Sequence, residues 1–115
     1  MVRVKYRYFV LKINWKDGKI KNESPEYIKK AISERIKELY GTFGLALMPL
    51  KVKMYNRMTR MCIIRTFRSV HKSVWIAISM VRFIDDRNVS LNCIHLGGTI
   101  RKCSKAAEMY LRKMV

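Results

Sequence analysis

The residues best suited to chemistry stand together in Ile94-His95-Leu96-Gly97-Gly98-Thr99-Ile100-Arg101-Lys102-Cys103. Thr99 falls where a helix would begin, and its hydroxyl suits an N-cap, accepting from an otherwise unpaired first-turn amide. Gly97 and Gly98 allow close backbone approach to a ligand, while a helix start offers free N–H groups and a positive dipole end. Arg101 and Lys102 add full charges there. This construction suits a phosphate. No nucleotide-binding loop accompanies it, so the phosphate expected is that of RNA. The alternative is a connection that needs its glycines only for geometry.

A second group opens the chain. Arg3, Lys5 and Arg7 alternate with Val4, Tyr6 and Tyr8, so an extended backbone sets cations on one edge and two rings on the other. Such an arm could follow a phosphate backbone while a tyrosine stacks on a base or sugar; a solvated chain end is the plainer reading. Other chemistry finds little support. Cys62, Cys93, Cys103, His71 and His95 form no Cys-x-x-Cys pair and no zinc-knuckle spacing. The acids are scattered, and a Cys–His nucleophile would rest on residue type alone. No catalytic residue, metal or bound cofactor is expected.

These groups need a scaffold, and the composition bounds it. With 115 residues, half of them hydrophobic, the chain is long enough for one core and too apolar for general disorder. The net charge is +17, and from Leu39 to Ile84 eight basic residues face no acid. Charge of this density repels itself unless an anionic partner relieves it, which points to nucleic acid ahead of a membrane surface. The longest uncharged stretch, Asn88 to Ile100, has 13 residues, too short for a span. The N-terminus lacks a signal-peptide pattern, and three irregularly spaced cysteines suggest reduced thiols in an intracellular protein.

Residues 6–15 read as a strand, with Phe9, Leu11, Ile13 and Trp15 on one face and Tyr6, Tyr8 and Lys12 on the other. Lys16-Asp17-Gly18-Lys19 reads as a turn. A helix should open at Ser24-Pro25, bury Ile28, Ala31, Ile32, Ile36, Leu39 and Tyr40, and end at Gly41. Leu45 to Tyr55 reads as a second strand, with Pro49 suggesting an edge or a bulge. Met61 to Phe67 reads as a third strand. Ser69 should cap a second helix that turns Val70, Val74, Ala77, Ile78 and Val81 inward. Trp75, Ile76 and Met80 widen its apolar surface beyond one stripe, which makes them the candidate docking face for a protein partner. Asp85 to Asn88 reads as a loop, Val89 to Leu96 as a fourth strand, and Ile100 onward as a last helix. That helix should bury Cys103, Ala107, Tyr110, Leu111 and Met114 and turn Arg101, Lys102, Lys105, Arg112 and Lys113 to solvent.

The order β-α-β-β-α-β plus a C-terminal helix predicts one α+β domain over residues 1–115, a ferredoxin-like (RRM-like) sandwich with a mainly antiparallel sheet. The stacking code of the RNA-recognition motif is missing. The third strand, Met61-Cys62-Ile63-Ile64-Arg65-Thr66-Phe67, has one aromatic at its far end and no glycine. Met54, Met58 and Met61 around one turn could form an adaptable protein contact.

Three motifs in order also carry a resemblance: Met1-Val2-Arg3-Val4-Lys5-Tyr6-Arg7-Tyr8, Tyr40-Gly41-Thr42-Phe43-Gly44, and Gly97-Gly98-Thr99-Ile100-Arg101 with Cys103. Together they resemble the Pop-five subunit family of ribonuclease P and ribonuclease MRP. The resemblance implies an RNA-binding subunit of a ribonucleoprotein that removes the 5′ leader of precursor tRNA, with the active site and its Mg2+ on the RNA. It implies RNA contact through Arg3, Lys5, Tyr6, Arg7 and Tyr8 and through Gly97, Gly98, Thr99, Arg101, Lys102 and Lys105. The partners implied are the ribonuclease P/MRP RNA, a barrel-shaped protein subunit, a second small sandwich-like subunit, and precursor tRNA through the complex, with no membrane. In a eukaryote the location would be nucleus and nucleolus; otherwise it would be cytoplasmic. A ribosomal or ribosome-assembly RNA-binding protein is the alternative.

Overall fold

The computed structural model of the chain describes residues 5–16, 25–56, 58–84 and 87–114. Its sheet is built outward from β1 (Tyr6–Trp15), whose alternation takes Phe9, Leu11 and Ile13 fully out of water on one face. On one side β1 pairs with β3 (Met61–Phe67), from Tyr6↔Phe67 to Lys12↔Met61. On the other it pairs with β5 (Arg87–Gly97), from Tyr8↔Gly97 to Trp15↔Val89. β2 (Lys51–Asn56) and β4 (Phe83–Ile84) close the two edges, so the order is β2-β3-β1-β5-β4, with every pair antiparallel. Four of these strands make the ferredoxin-like arrangement. The fifth is a two-residue edge.

One face of the sheet carries α1 (Pro25–Leu47) and α2 (His71–Ser79). Ile28, Ala31, Ile32 and Ile36 recur at helical spacing, as do Val74, Ala77 and Ile78, and all pack on Phe9, Leu11, Ile13, Cys62 and Ile64. Each fully buried Ile or Leu in this layer stabilises the fold by about 1.5–3 kcal/mol relative to exposure. α3 (Ile100–Met114) covers the opposite face, where Cys103 and Ala107 sit on Val10, Met61 and Ile63. Val10 is as completely buried as Phe9, so β1 feeds two cores rather than one. Burial of Met61 removes it from the methionine contact expected around the 56–59 turn, where Met54 and Met58 stay exposed.

The order of elements follows expectation, with three local corrections. Residues 45–47, expected to open the second strand, are helical. Gly41 does break the helix, at φ 76° and ψ −176°, a backbone that only glycine adopts cheaply. The chain then re-enters helix although Thr42 and Gly44 disfavour it, because Leu45, Met48 and Leu50 gain the core by doing so. Pro49 precedes the strand instead of lying in it. The strand that follows, β2, is an edge whose register against β3 slips between Val52 and Met54. Ser69 does not cap α2. It lies inside a 3-10 turn, Arg68–Val70, and the cap position Val70 has no side-chain bond to the helix. Finally, Arg87 and Asn88 belong to β5 and pair with Ile84 and Phe83. The Arg87 guanidinium lies 4.1 Å from the Trp15 ring centre, which explains how a cation is buried there. The Ser24 cap, the turn at Asp17-Gly18-Lys19, the pair Asp85-Asp86 and the side chain of Met114 lie outside the described residues, as does Arg3.

Candidate nucleic-acid interface

Strand register brings the two sequence motifs together. Because Tyr8 pairs with Gly97, the opening of β1 runs beside the turn from β5 into α3. A Cβ on Gly98 would stand 3.2 Å from the Arg7 guanidinium, which therefore lies over that glycine. Thr99 caps α3 as expected: its hydroxyl accepts the Lys102 amide at 3.3 Å, and its carbonyl accepts the Cys103 amide at 3.2 Å. The amides of Ile100 and Arg101 have no carbonyl a turn earlier in the helix to bond. Arg101, Lys102 and Lys105 are exposed around this end, while Cys103 and Ala107 anchor the other side of the helix. The result is a corner where Arg7 stands at a helix N-terminus whose first turn carries Arg101 and Lys102, cations and free amides of the kind that hold phosphate.

The glycine pair divides its work. Neither Gly97 nor Gly98 has positive φ; among the described glycines only Gly41 does. A Cβ on Gly97 would come within 2.9 Å of Cys103 Sγ and 3.1 Å of His95 Nε2, so Gly97 is small because the interior is tight there. Gly98 faces outward and is the one open to a ligand. The tyrosines divide similarly. Tyr8 packs half-buried against the core beneath α3. Tyr6 stacks on Phe67 (centroids 5.6 Å, planes 22° apart) and carries the Arg65 guanidinium 4.2 Å from its ring centre. Arg65 and Phe67 went unassigned in the sequence because only the pairing Tyr6↔Phe67 places them beside the opening strand. Lys51 and Lys53 were also missed. The positive charges of Lys51 and Arg65, in that order, lower the Lys53 pKa, a sign of cations crowded along this edge. The alternation Lys51-x-Lys53 and Arg65-x-Phe67 was the available signal.

Trp75, Ile76 and Met80 are each about half exposed on the outer side of α2, at 53, 51 and 46%. Trp75 also walls a cavity of about 210 Å³ with Phe9 and Cys93 to Leu96, so this apolar surface approaches the end of β5. Leu96, in the wall of that cavity, is two residues from Gly98, so the apolar face borders the charged turn. Elsewhere, burial pushes the Cys62 thiol up to about 12, and the Cys93 thiol donates to the His95 carbonyl. Among the described residues no three of His, Cys, Asp or Glu converge as metal ligands.

The family model described as Rpp14/Pop5 matches residues 7–108. The chain belongs to the Rpp14/Pop5 family. Similar family members include the probable ribonuclease P/MRP protein subunit POP5 of Arabidopsis thaliana, 38% identical over 82 residues, which are 70% of this chain and 54% of that one. The protein of the same name from Dictyostelium discoideum is 30% identical over all of this chain and 69% of its own length. The human ribonuclease P/MRP protein subunit POP5 is 25% identical, covering all of this chain and 75% of its own. The chain thus spans about half of the Arabidopsis relative and larger shares of the others. A chain in the cryo-EM structure of yeast ribonuclease MRP has the same fold, at TM-score 0.71 and 15% identity over 99% of this chain and 91% of that one. The Rpp14/Pop5 match begins at Arg7 and ends just past Lys105, so it encloses both halves of the charged corner.

Proposed function

We propose that the chain is an RNA-binding protein subunit of a ribonuclease P and MRP ribonucleoprotein, bracing the RNA core that removes the 5′ leader of precursor tRNA. One observation carries this reading: Arg7 lies over Gly98 beside the Thr99-capped start of α3, ringed by Arg101, Lys102 and Lys105. Family membership and the net charge of +17 support it. In this reading the RNA holds the active site and its Mg2+, and the protein lowers the cost of packing phosphates close together. Lys5, just before β1, extends the phosphate track, and Arg3, outside the described residues, is a further candidate by sequence. Trp75, Ile76 and Met80 are the docking face for a neighbouring protein subunit, with a barrel-shaped subunit and a second small sandwich-like one as candidates. In a eukaryotic cell the assembly would sit in the nucleus and nucleolus.

The deciding experiment recovers tagged protein from its own cells and sequences the bound RNA. Ribonuclease P or MRP RNA is expected, and selective enrichment of ribosomal RNA overturns the proposal. In the same pull-down, Ile76→Asp should lose companion proteins while keeping its affinity for the RNA. Equal loss of both would assign the α2 face to RNA instead.

A further inference from the structure

On the far flank of β1, opposite the Gly97–Thr99 turn, a cleft of about 330 Å³ opens where β2 stops short of the end of β3. Lys29 of α1, Lys51 of β2 and Arg65 of β3 wall it together with Tyr6, Thr66 and Phe67. No carboxylate stands among the described residues that line it. Its volume falls at the low end of the roughly 300–1,000 Å³ typical of small-ligand sites. Three cations without an acid call for an anion. The Tyr6–Phe67 stack beside them, with Arg65 over Tyr6, supplies a flat π surface of the kind on which bases stack. The Thr66 hydroxyl is buried without a hydrogen-bond partner among the described residues, so this wall also has unspent polar capacity.

We propose that this cleft holds a single unstacked nucleotide of the bound RNA, its phosphate against Lys29, Lys51 and Arg65 and its base on the exposed side of Phe67. The inference rests on the RNA-binding reading above and adds a second site to it. Both sites flank the same few residues of β1. Their neighbouring strands, β3 and β5, lie roughly 10 Å apart, two inter-strand spacings, so one RNA strand crossing the start of β1 reaches both. Burial of Val10, Met61 and Ile63 beneath α3 blocks the centre of that sheet face and leaves this margin as the place where a base can stack.

The test titrates the full chain with pentauridylate and, separately, with inorganic phosphate, following the backbone amides of Thr66 and Phe67 by NMR. Pentauridylate should shift both amides, and phosphate alone should leave Phe67 largely unmoved. Phe67→Leu should weaken pentauridylate binding by at least about fivefold, the low end of what one base–aromatic stack contributes, without changing its salt dependence. Lys29→Gln with Lys51→Gln should weaken it and flatten that dependence. If affinity follows the lysines but not Phe67, the cleft is a plain anion-binding face and the nucleotide pocket is overturned. Arg101→Gln, measured on ribonuclease P RNA, separates the two ideas. If it weakens that RNA while Phe67→Leu binds pentauridylate like wild type, the cleft fails and the subunit reading stands; if neither has an effect, both fail.

Discussion

Gly97 and Gly98 are neighbours with opposite constraints, and substitution separates them. A Cβ on Gly97 meets Cys103 Sγ at 2.9 Å, in a core where Cys103 is fully buried. Gly97→Ala should therefore destabilise the fold by about 1–3 kcal/mol through overpacking, read as a lower thermal midpoint. Gly98→Ala meets only the mobile end of Arg7 and should fold normally, so any loss of RNA affinity reports on the interface. Arg101→Ala and Lys102→Ala should leave the melting temperature within error and reduce the salt slope of RNA binding by about one for each phosphate contact removed. Unchanged slopes for both would make the start of α3 a mere connection. Sequence anticipated the N-cap at Thr99, since one hydroxyl before an apolar stripe is a local signal. It could not separate the two glycines, because what distinguishes them is a sulfur that only α3 brings into contact.

At the scale of elements, legibility followed locality. β3 came out with the bounds expected, Met61–Phe67, and α3 from its cap, because each is specified by its own residues. The stretch 42–50 did not. Gly41 ends one helical segment in any reading, and whether the chain next extends or coils was settled by where Leu45, Met48 and Leu50 find the core. β4 was invisible because two residues show no period. The face beneath α3 was read only in part: the stripe of α3 was clear, but its landing site, Val10 with Met61 and Ile63, lies between residues assigned to the first core. That placement yields a prediction. Ile63→Ala should cost about 2–5 kcal/mol by the cavity it leaves, and the loss should fall first on α3. Ile64→Ala, one residue on and facing α1 and α2, should cost a similar amount and loosen the helices of the other face. Denaturant melts with hydrogen exchange distinguish the two. The same loosened element in both variants would mean that the sheet does not divide the cores.

For the molecule as a whole, charge and stability oppose each other. The described ion pairs Arg35–Glu38 and Arg112–Glu108, both 2.8 Å, are exposed and contribute little. A net charge of +17 on 115 residues therefore strains the folded state at low ionic strength. The thermal midpoint should rise between low and moderate salt, and rise further with RNA at constant salt. A midpoint that falls with salt would show that attractive pairs dominate instead. The uneven dressing of the sheet has a kinetic consequence. Among the described residues the core that includes α3 has five buried members, two of them α3's own, whereas the opposite layer has nineteen, so α3 is the part that opens while the remainder stays folded. Its first turn is also the end proposed to meet RNA. Each bound phosphate is thus a vote for the closed helix, and the amides of α3 should exchange more slowly as RNA is added, by the factor one plus ligand over dissociation constant, while those of β1 keep their pace. The protein's own breathing then serves as a gauge of whether its RNA is seated.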